Sequence, residues 1–430
     1  MQIYVIRPGD SLWNISQAFN SSVNAIQQAN ELPDPNRLVV GQTIVIPITG
    51  QYYWTRPGDS LWSIGRRFGI NYIELARINN IALNSILQVG IRIYIPPKAK
   101  TRAEINAYIE PTGSAVSPQL LQTARETASL LTYLAPFSYR ANRDGSLTPM
   151  PLDGLPQIAS QNNTTLMMVI TNIEGEGFSG ELAGAILSNP DIQDTLIDNI
   201  IATARQTGNI FSDAHFDFEF IPVDLRQQYS EFLAKAVQRL HAEGMLVSAA
   251  LAPKTSATQP GQWYEAHSYG DIGAVVDFVV IMTYEWGFSG GPPMPVSPIG
   301  PVEQVLQYAL TEMPAYKIMM GQNLYGYDWT LPFVRGQTFA RAISPQQAIE
   351  IAAQNNAAIS YDYNAQAPFF NYVDGEGRRH IVWFEDARSI QAKFDLMKRL
   401  NLRGVSYWKL SYDFPQNWLL VEDNFIVAKR

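Results

Sequence analysis

Cysteine is missing from the chain, which excludes disulfides, thiolate metal sites and a cysteine nucleophile. Histidine is scarce: the four residues are scattered without metal-ligand spacing, so no metal is expected. No glycine-rich phosphate cradle is present, and no cofactor is expected. No run is long and apolar enough to span a bilayer. Basic residues are the minority, 31 Lys and Arg against 39 Asp and Glu, for a net charge of −8. Without a basic stripe the chain has no footprint for nucleic acid or an anionic membrane surface. A secretory leader is lacking too, because Met1-Gln2-Ile3-Tyr4 opens straight into strand-like sequence, so no signal peptide is expected. What the chain does have is apolar residues, 46% of 430, enough for a large core and more than one domain.

An internal repeat lies at the N-terminus. Arg7-Pro8-Gly9-Asp10-Ser11-Leu12-Trp13-Asn14-Ile15 returns as Arg56-Pro57-Gly58-Asp59-Ser60-Leu61-Trp62-Ser63-Ile64, an offset of 58 − 9 = 49 that also carries Asn30 to Asn79, Gly41 to Gly90 and Pro47 to Pro96. Each copy reads strand, Pro-Gly-Asp turn, helix capped by Asp or Ser, second helix and closing strand. Trp13 and Trp62 are expected in the core. The pattern resembles the LysM module, whose G-D-S/T-L-W-x-I opening and V-G-Q-x-I-x-I-P ending are both present. The resemblance implies a βααβ fold at 1–48 and again at 51–97. It also implies binding of N-acetylglucosamine-containing glycans in a groove between the loop after the first strand and the loop before the last. Carried over, it implicates Gly9, Asp10, Ser11 and Leu12, and Gly58, Asp59, Ser60 and Leu61. A plainer reading of the same residues makes the leucines core and the polar ones caps.

Pro96-Pro97-Lys98-Ala99-Lys100 reads as a short stiff linker. Beyond it strand-like and helix-like runs alternate, the mark of an α/β fold with a parallel sheet. Candidate strands are 105–110, 131–137, 165–171, 213–219, 246–251, 277–283, 317–323 and 404–409. Eight of them predict a (β/α)₈ TIM barrel over 98–430. Asn189-Pro190 starts a helix with an Ile192, Leu196, Ile200, Ile201 stripe, and Gly244 ends the helix carrying Leu225, Tyr229, Phe232, Ala236 and Leu240. In such barrels chemistry lies at the C-terminal ends of the strands.

The fourth strand, Asp213-Ala214-His215-Phe216-Asp217-Phe218-Glu219-Phe220, alternates strictly. On an extended backbone Asp213, His215, Asp217 and Glu219 share one face, while Phe216, Phe218 and Phe220 share the other. Neighbouring carboxyls raise one another's pKa, and a carboxyl that keeps its proton at neutral pH is what a general acid requires. An exposed acidic edge strand is the competing reading.

From about Thr101 onward the chain resembles glycoside hydrolase family 18, whose fourth strand carries D-G-x-D-x-D-x-E. Asp217 and Glu219 match the last two acids, but Ser212, Asp213 and His215 stand where Asp, Gly and Asp are expected. Met282-Thr283-Tyr284 matches the sixth-strand M-x-Y. Gly321-Gln322-Asn323-Leu324-Tyr325-Gly326 resembles the seventh-strand G-x-P-x-Y-G with Asn323 for Pro, and Trp408 falls where the eighth strand floors a sugar subsite. With two LysM-like copies in front, the forms H-F-D-F-E-F, M-T-Y-E-W-G and Y-G-Y-D-W are similar to a bacterial spore cortex-lytic subgroup.

The resemblance implies hydrolysis after N-acetylglucosamine, with Glu219 as acid. The substrate's acetamido group serves as nucleophile, oriented by Asp217 and Tyr284, because this family departs from the two-carboxylate scheme. Peptidoglycan glycan strands in the spore cortex are the implied partner. A monomer without membrane or nucleic-acid contacts is expected, made inside the mother cell and placed at the coat–cortex boundary for germination. A glycan-binding coat-anchoring protein and a chitinase are the alternatives. His215 either supports Asp217 or fills the barrel; with Trp408, Asn172, Glu285, Trp286, Asn323 and Tyr325 it makes up the expected substrate-binding set. Glu285 is either groove lining or a salt-bridged loop residue, and Glu174 shares the open status of Asn172. An α+β insertion is expected over about 335–388, with strands at 357–363, 367–373 and 379–383 and a hairpin turn at Asp374-Gly375-Glu376-Gly377. It either walls the cleft or is a stabilising flap.

Overall fold

In the computed structural model, which describes residues 1–430, eight parallel strands close on themselves. They are β1 (Thr101–Ile109), β2 (Tyr133–Pro136), β3 (Thr165–Thr171), β4 (Phe211–Asp217), β5 (Leu246–Leu251), β6 (Phe278–Ile281), β7 (Ile318–Asn323) and β8 (Gly404–Trp408). Each pairs with the next, and β8 returns to β1 with Gly404 opposite Glu104. Along β3, β5 and β6 apolar residues run almost unbroken because both faces are covered, one by the barrel interior and one by the helices, whereas β1 and β4 carry polar side chains into the interior. The helix starts follow local chemistry. Asn189 accepts from the backbone N–H of Asp191 and Ile192 to open Pro190–Gln206, whose Leu196, Ile197 and Ile200 are buried. Ile192 and Ile201 lie at the edges of that stripe.

Within β4 the pairing with β3 shifts between Phe211 and Asp213, a bulge at Ser212. The extra residue resets the phase: Phe211 points out against Tyr139, while Asp213, His215 and Asp217 point into the barrel. The strand stops at Asp217, sooner than the alternation predicts, so Glu219 stands in the loop just beyond it. Phe216 and Phe218 are buried, but Phe220 adopts a left-handed backbone, φ 55°, and is 36% exposed. The apolar face therefore ends one phenylalanine early.

The insertion is larger than expected and starts at Gly326. Its antiparallel sheet also contains Gly326–Leu331 and Arg341–Ile343, besides 360–362, 367–373 and 379–383. Asp374 Oδ1 accepts from the backbone N–H of Glu376 and Arg378 and so closes the hairpin.

Both N-terminal repeats are βααβ units: strand Gln2–Val5 pairs with Thr43–Ile46, and Gln51–Trp54 with Arg92–Ile95. Ser11 and Ser60 cap the first helices. Trp13 and Trp62 are not core. They are 65% and 56% exposed, because Leu12 and Ile15 face inward and the next residue along a helix points away. Arg66 covers the Trp62 ring at 4.9 Å.

The first repeat is welded to the barrel domain. Val45 lies fully buried in the main core, a burial contributing on the order of 2 kcal/mol. Gln416 donates to the Thr43 carbonyl and to Asn30 Oδ1. The loop before its last strand packs on the insertion, where Val39 joins Ile343, Ala348 and Phe370. There Ile359 N–H donates to the Val40 carbonyl at 2.8 Å, and Arg37 donates to the Ala353 carbonyl. The matching loop of the second repeat stays open, with Ile86 92% and Val89 63% exposed. The second repeat leans on the first through Phe19, Tyr52 and Trp54, and a cleft of 730 Å³ lies between them.

Candidate active site

The ends of β4, β6 and β8 converge at the barrel mouth. Asp217 is buried to 6% exposure, its Oδ1 has no hydrogen-bond partner, and burial pushes its pKa up to about 7. Glu219 is pushed well above the usual carboxylate range, first by burial and then by the charge of Asp217. The Trp263 indole, from the loop after β5, works the other way. A carboxyl in this position holds its proton at neutral pH and can give it up as an acid.

Tyr284 follows β6 and is buried, its pKa raised by burial and then by Tyr108, Asp217 and Glu219 around it. It stays a neutral phenol, a hydrogen-bond donor. Gly321 makes room for it: a Cβ there would lie 2.9 Å from the Tyr284 ring and 2.5 Å from the Ile281 carbonyl oxygen. Trp408, at the end of β8, is half-buried and packs edgewise on Phe137 at 4.8 Å and on Tyr108 at 5.4 Å. Tyr284, Tyr325, Tyr327 and Trp329 form a buried cluster against which Trp263, Trp383 and Trp408 rest. The insertion thus backs the site with aromatic rings.

Several residues expected to contact substrate have other partners. Asn172 is fully buried; it accepts from the Glu219 N–H at 2.9 Å and donates to the Glu219 carbonyl at 2.8 Å. It holds the acid's backbone and offers no free face. Glu174 instead pairs with Arg143 on the surface. His215 is fully buried below Asp217, with Nε2 2.8 Å from the Tyr108 hydroxyl and Nδ1 2.7 Å from Ser248 Oγ. Both ring nitrogens are engaged inside the barrel, away from any sugar. Asn323 is likewise fully buried and donates to the Tyr325 carbonyl. Tyr325 donates to Glu285, as does Tyr327 at 3.0 Å. Glu285 is therefore held by two phenols and not by a cation. Its backbone is left-handed, φ 67°. Such a conformation costs on the order of 1 kcal/mol and persists where the surroundings over-determine it. Trp286 is half-buried against the barrel core.

In the repeats, Leu12 and Leu61 are buried core, so their side chains cannot meet a glycan. Asp10 and Asp59 brace their turns, accepting from Arg7 N–H and the Tyr4 hydroxyl, and from Arg56 N–H and the Tyr53 hydroxyl. Gly9 and Gly58 are open to solvent, both at φ 84°. Sequence reasoning passed over Ser248, Tyr108 and Trp263, and gave Asp213 no role. Only Asp213 carried a signal, its place in the alternation.

No group of three or more His, Cys, Asp and Glu side chains is arranged to hold a metal ion, and no helix is long and apolar enough to cross a membrane. The barrel and its acidic mouth are those of a glycoside hydrolase. More particularly, the chain belongs to glycosyl hydrolases family 18, which residues 112–413 match, with LysM domains at 4–47 and 53–96. It is 62% identical over 430 residues to the cortical fragment-lytic enzyme of Bacillus subtilis (strain 168), covering 100% of this chain and 99% of that protein. It is 50% identical to the cortical fragment-lytic enzyme of Bacillus anthracis over 431 residues, all of both chains. The crystal structure of the spore cortex-lytic enzyme SleL of Bacillus megaterium QM B1551 superposes with a TM-score of 0.91 at 52% identity, over 100% of this chain and 99% of that one. At 24% identity, the chitinase of Chromobacterium violaceum shares the fold, with a TM-score of 0.68 over 75% of this chain and 98% of that one.

Proposed function

We propose that the protein hydrolyses the glycosidic bond following N-acetylglucosamine in spore cortex peptidoglycan, acting as a monomer at the coat–cortex boundary during germination. The observation that carries the reading is the acid pair, in which Glu219 keeps its proton next to Asp217 beside a neutral tyrosine donor. Full-length similarity to cortical fragment-lytic enzymes supports the choice of substrate.

In this mechanism the sugar lies over Trp408 and Glu219 protonates the glycosidic oxygen. The substrate's acetamido oxygen attacks the anomeric carbon, Asp217 holds the acetamido N–H and stabilises the cationic ring that forms, and Tyr284 donates to its oxygen. Glu219, now a base, activates water, and the product keeps its anomeric configuration. The repeats hold the glycan strand, with Gly9, Ser11, Gly58 and Ser60 presenting backbone and hydroxyl groups to it. Retention of both acids favours hydrolysis over carbohydrate binding alone.

The test digests purified cortex fragments and chitin oligomers side by side and identifies the products by mass spectrometry. The expected result is N-acetylglucosamine at new reducing ends from cortex fragments, abolished by Glu219→Gln while glycan pull-down persists. Full activity of that variant would remove the assignment of the acid, and preference for chitin would make the protein a chitinase.

A further inference from the structure

Below Asp217 a file of polar side chains crosses the barrel interior. Asp213 Oδ1 lies 2.6 Å from Ser248 Oγ, which lies 2.7 Å from His215 Nδ1; His215 Nε2 lies 2.8 Å from the Tyr108 hydroxyl. Ser406 flanks that hydroxyl and accepts from Asn106 Nδ2 at 2.8 Å. Asp213, Ser248 and His215 are fully buried and Tyr108 is 4% exposed. Four polar groups have been placed in the driest part of the molecule, where an apolar filling costs less to bury.

A neutral imidazole carries one N–H, so hydrogens along the file run in one of two directions. Running downward, Tyr108 donates to His215, His215 to Ser248, and Ser248 to an ionised Asp213. Running upward, a protonated Asp213 donates to Ser248, Ser248 to Nδ1, and Nε2–H to Tyr108, whose own O–H is then free to donate to Ser406. Two facts select the upward order. Asp213 Oδ2 has no partner at all, and an anion left so bare in the interior is costly. Burial also pushes Asp213 up to about 8 and holds His215 down at about 3, so both are neutral near pH 7.

Tyr108 connects the file to the reacting end. Its ring meets Trp408 at 5.4 Å and Phe137 at 6.1 Å, and Asp217 is the charge it feels most strongly. We propose that Asp213, Ser248, His215 and Tyr108 act as one positioning column that seats the Trp408 floor beneath the sugar, with the column's extra proton held at Asp213 so that it places no second negative charge below Asp217. The proposal rests on the reading of Asp217 and Glu219 as the hydrolytic pair. None of the four touches substrate, and each acts through Trp408 or Asp217.

The test measures kcat and KM on soluble cortex fragments together with thermal unfolding. Asp213→Asn supplies an amide N–H to Ser248 as the protonated acid does, so kcat stays within about twofold of the parent. Asp213→Ala removes the foot of the column, and Tyr108→Phe keeps the ring but deletes the hydroxyl. Each lowers kcat by about tenfold or more with KM within about twofold, as expected when a connected network loses one member. If Asp213→Ala fails to fold, the Asn and Phe variants, both close in shape to the originals, decide the matter alone. Equal losses in Asp213→Asn and Asp213→Ala, or an unchanged kcat in Tyr108→Phe, overturn the proposal. So does a fall in melting temperature with kcat per folded molecule unchanged, which marks a purely structural role. Glu219→Gln, run in parallel, separates the two levels: full activity there removes the hydrolytic pair, whatever the column variants do.

Discussion

Asn172 grips Glu219 by the main chain on both sides, accepting from its N–H at 2.9 Å and donating to its carbonyl at 2.8 Å. The acid lies one residue past Phe218 and immediately before the left-handed Phe220, outside the sheet, so this amide replaces the ladder that would otherwise fix it. Asn172→Ala leaves two buried backbone groups unpaired, at a cost of about 1–3 kcal/mol. Loosening the acid should lower kcat by roughly 10- to 100-fold with a smaller change in KM. Steady-state kinetics on cortex fragments checks this, and a parent-like kcat would show that the grip is dispensable.

Activity should trace a bell in pH. In the proposed mechanism Asp217, pushed up to about 7, is ionised to support the cation, and Glu219, raised by burial and then by the charge of Asp217, is protonated. Thus kcat/KM rises as the first proton leaves the pair and falls as the second does. An alkaline limb near the ordinary glutamate value of about 4.3 would contradict the assignment.

For stability the sign is opposite. Between the unfolded carboxyl values, near about 4, and the raised folded ones of Asp213 and Asp217, about 8 and about 7, the native chain binds more protons than the unfolded one. Stability therefore falls as pH climbs through that window, by up to about 1.4 kcal/mol per pH unit for each proton held. Melting curves at several pH values should show Asp213→Asn with a flatter decline than the parent. Parallel declines would mean that Asp213 titrates normally.

Gly41 and Gly90 occupy equivalent repeat positions with the same φ of 85°. An alanine at either meets the same backbone strain, on the order of 1 kcal/mol. Only at Gly41 would the new Cβ collide with the Ile359 carbonyl oxygen, at 1.8 Å; at Gly90 nothing lies within 4 Å. Gly41→Ala should lower the melting temperature several degrees further than Gly90→Ala. Equal shifts would mean that the first repeat does not dock on the insertion.

Much of this architecture could be read from the chain because its signals are local. The 49-residue offset (58 − 9) is plain in the chain itself, and the alternation of strand-like with helix-like runs marks the barrel. What stayed hidden depends on contacts far apart in sequence. Nothing near His215 announces Tyr108 or Ser248 as its partners, and nothing near Asn172 announces the backbone of Glu219. Trp13 and Trp62 were misplaced because size and apolarity suggest burial, whereas helical phase decides it. The insertion's first strand was missed because Gly326-Tyr327-Asp328 continues directly from a barrel-strand motif. In the barrel domain Asp217 and Glu219 stand out in the sequence, whereas the residues that hold them do not.

The junction of the first repeat with the barrel also sets an order of assembly. Gln416 reaches back across 373 positions to the Thr43 carbonyl, and Val45 belongs to a core whose remaining members all follow it in the chain. The docking face of this repeat, unlike its own small core, stays uncovered until residues beyond 410 are made. Contacts of such long span make folding slow, and a truncated product would display Val45 and the loop around Val39 uncovered, where they invite aggregation.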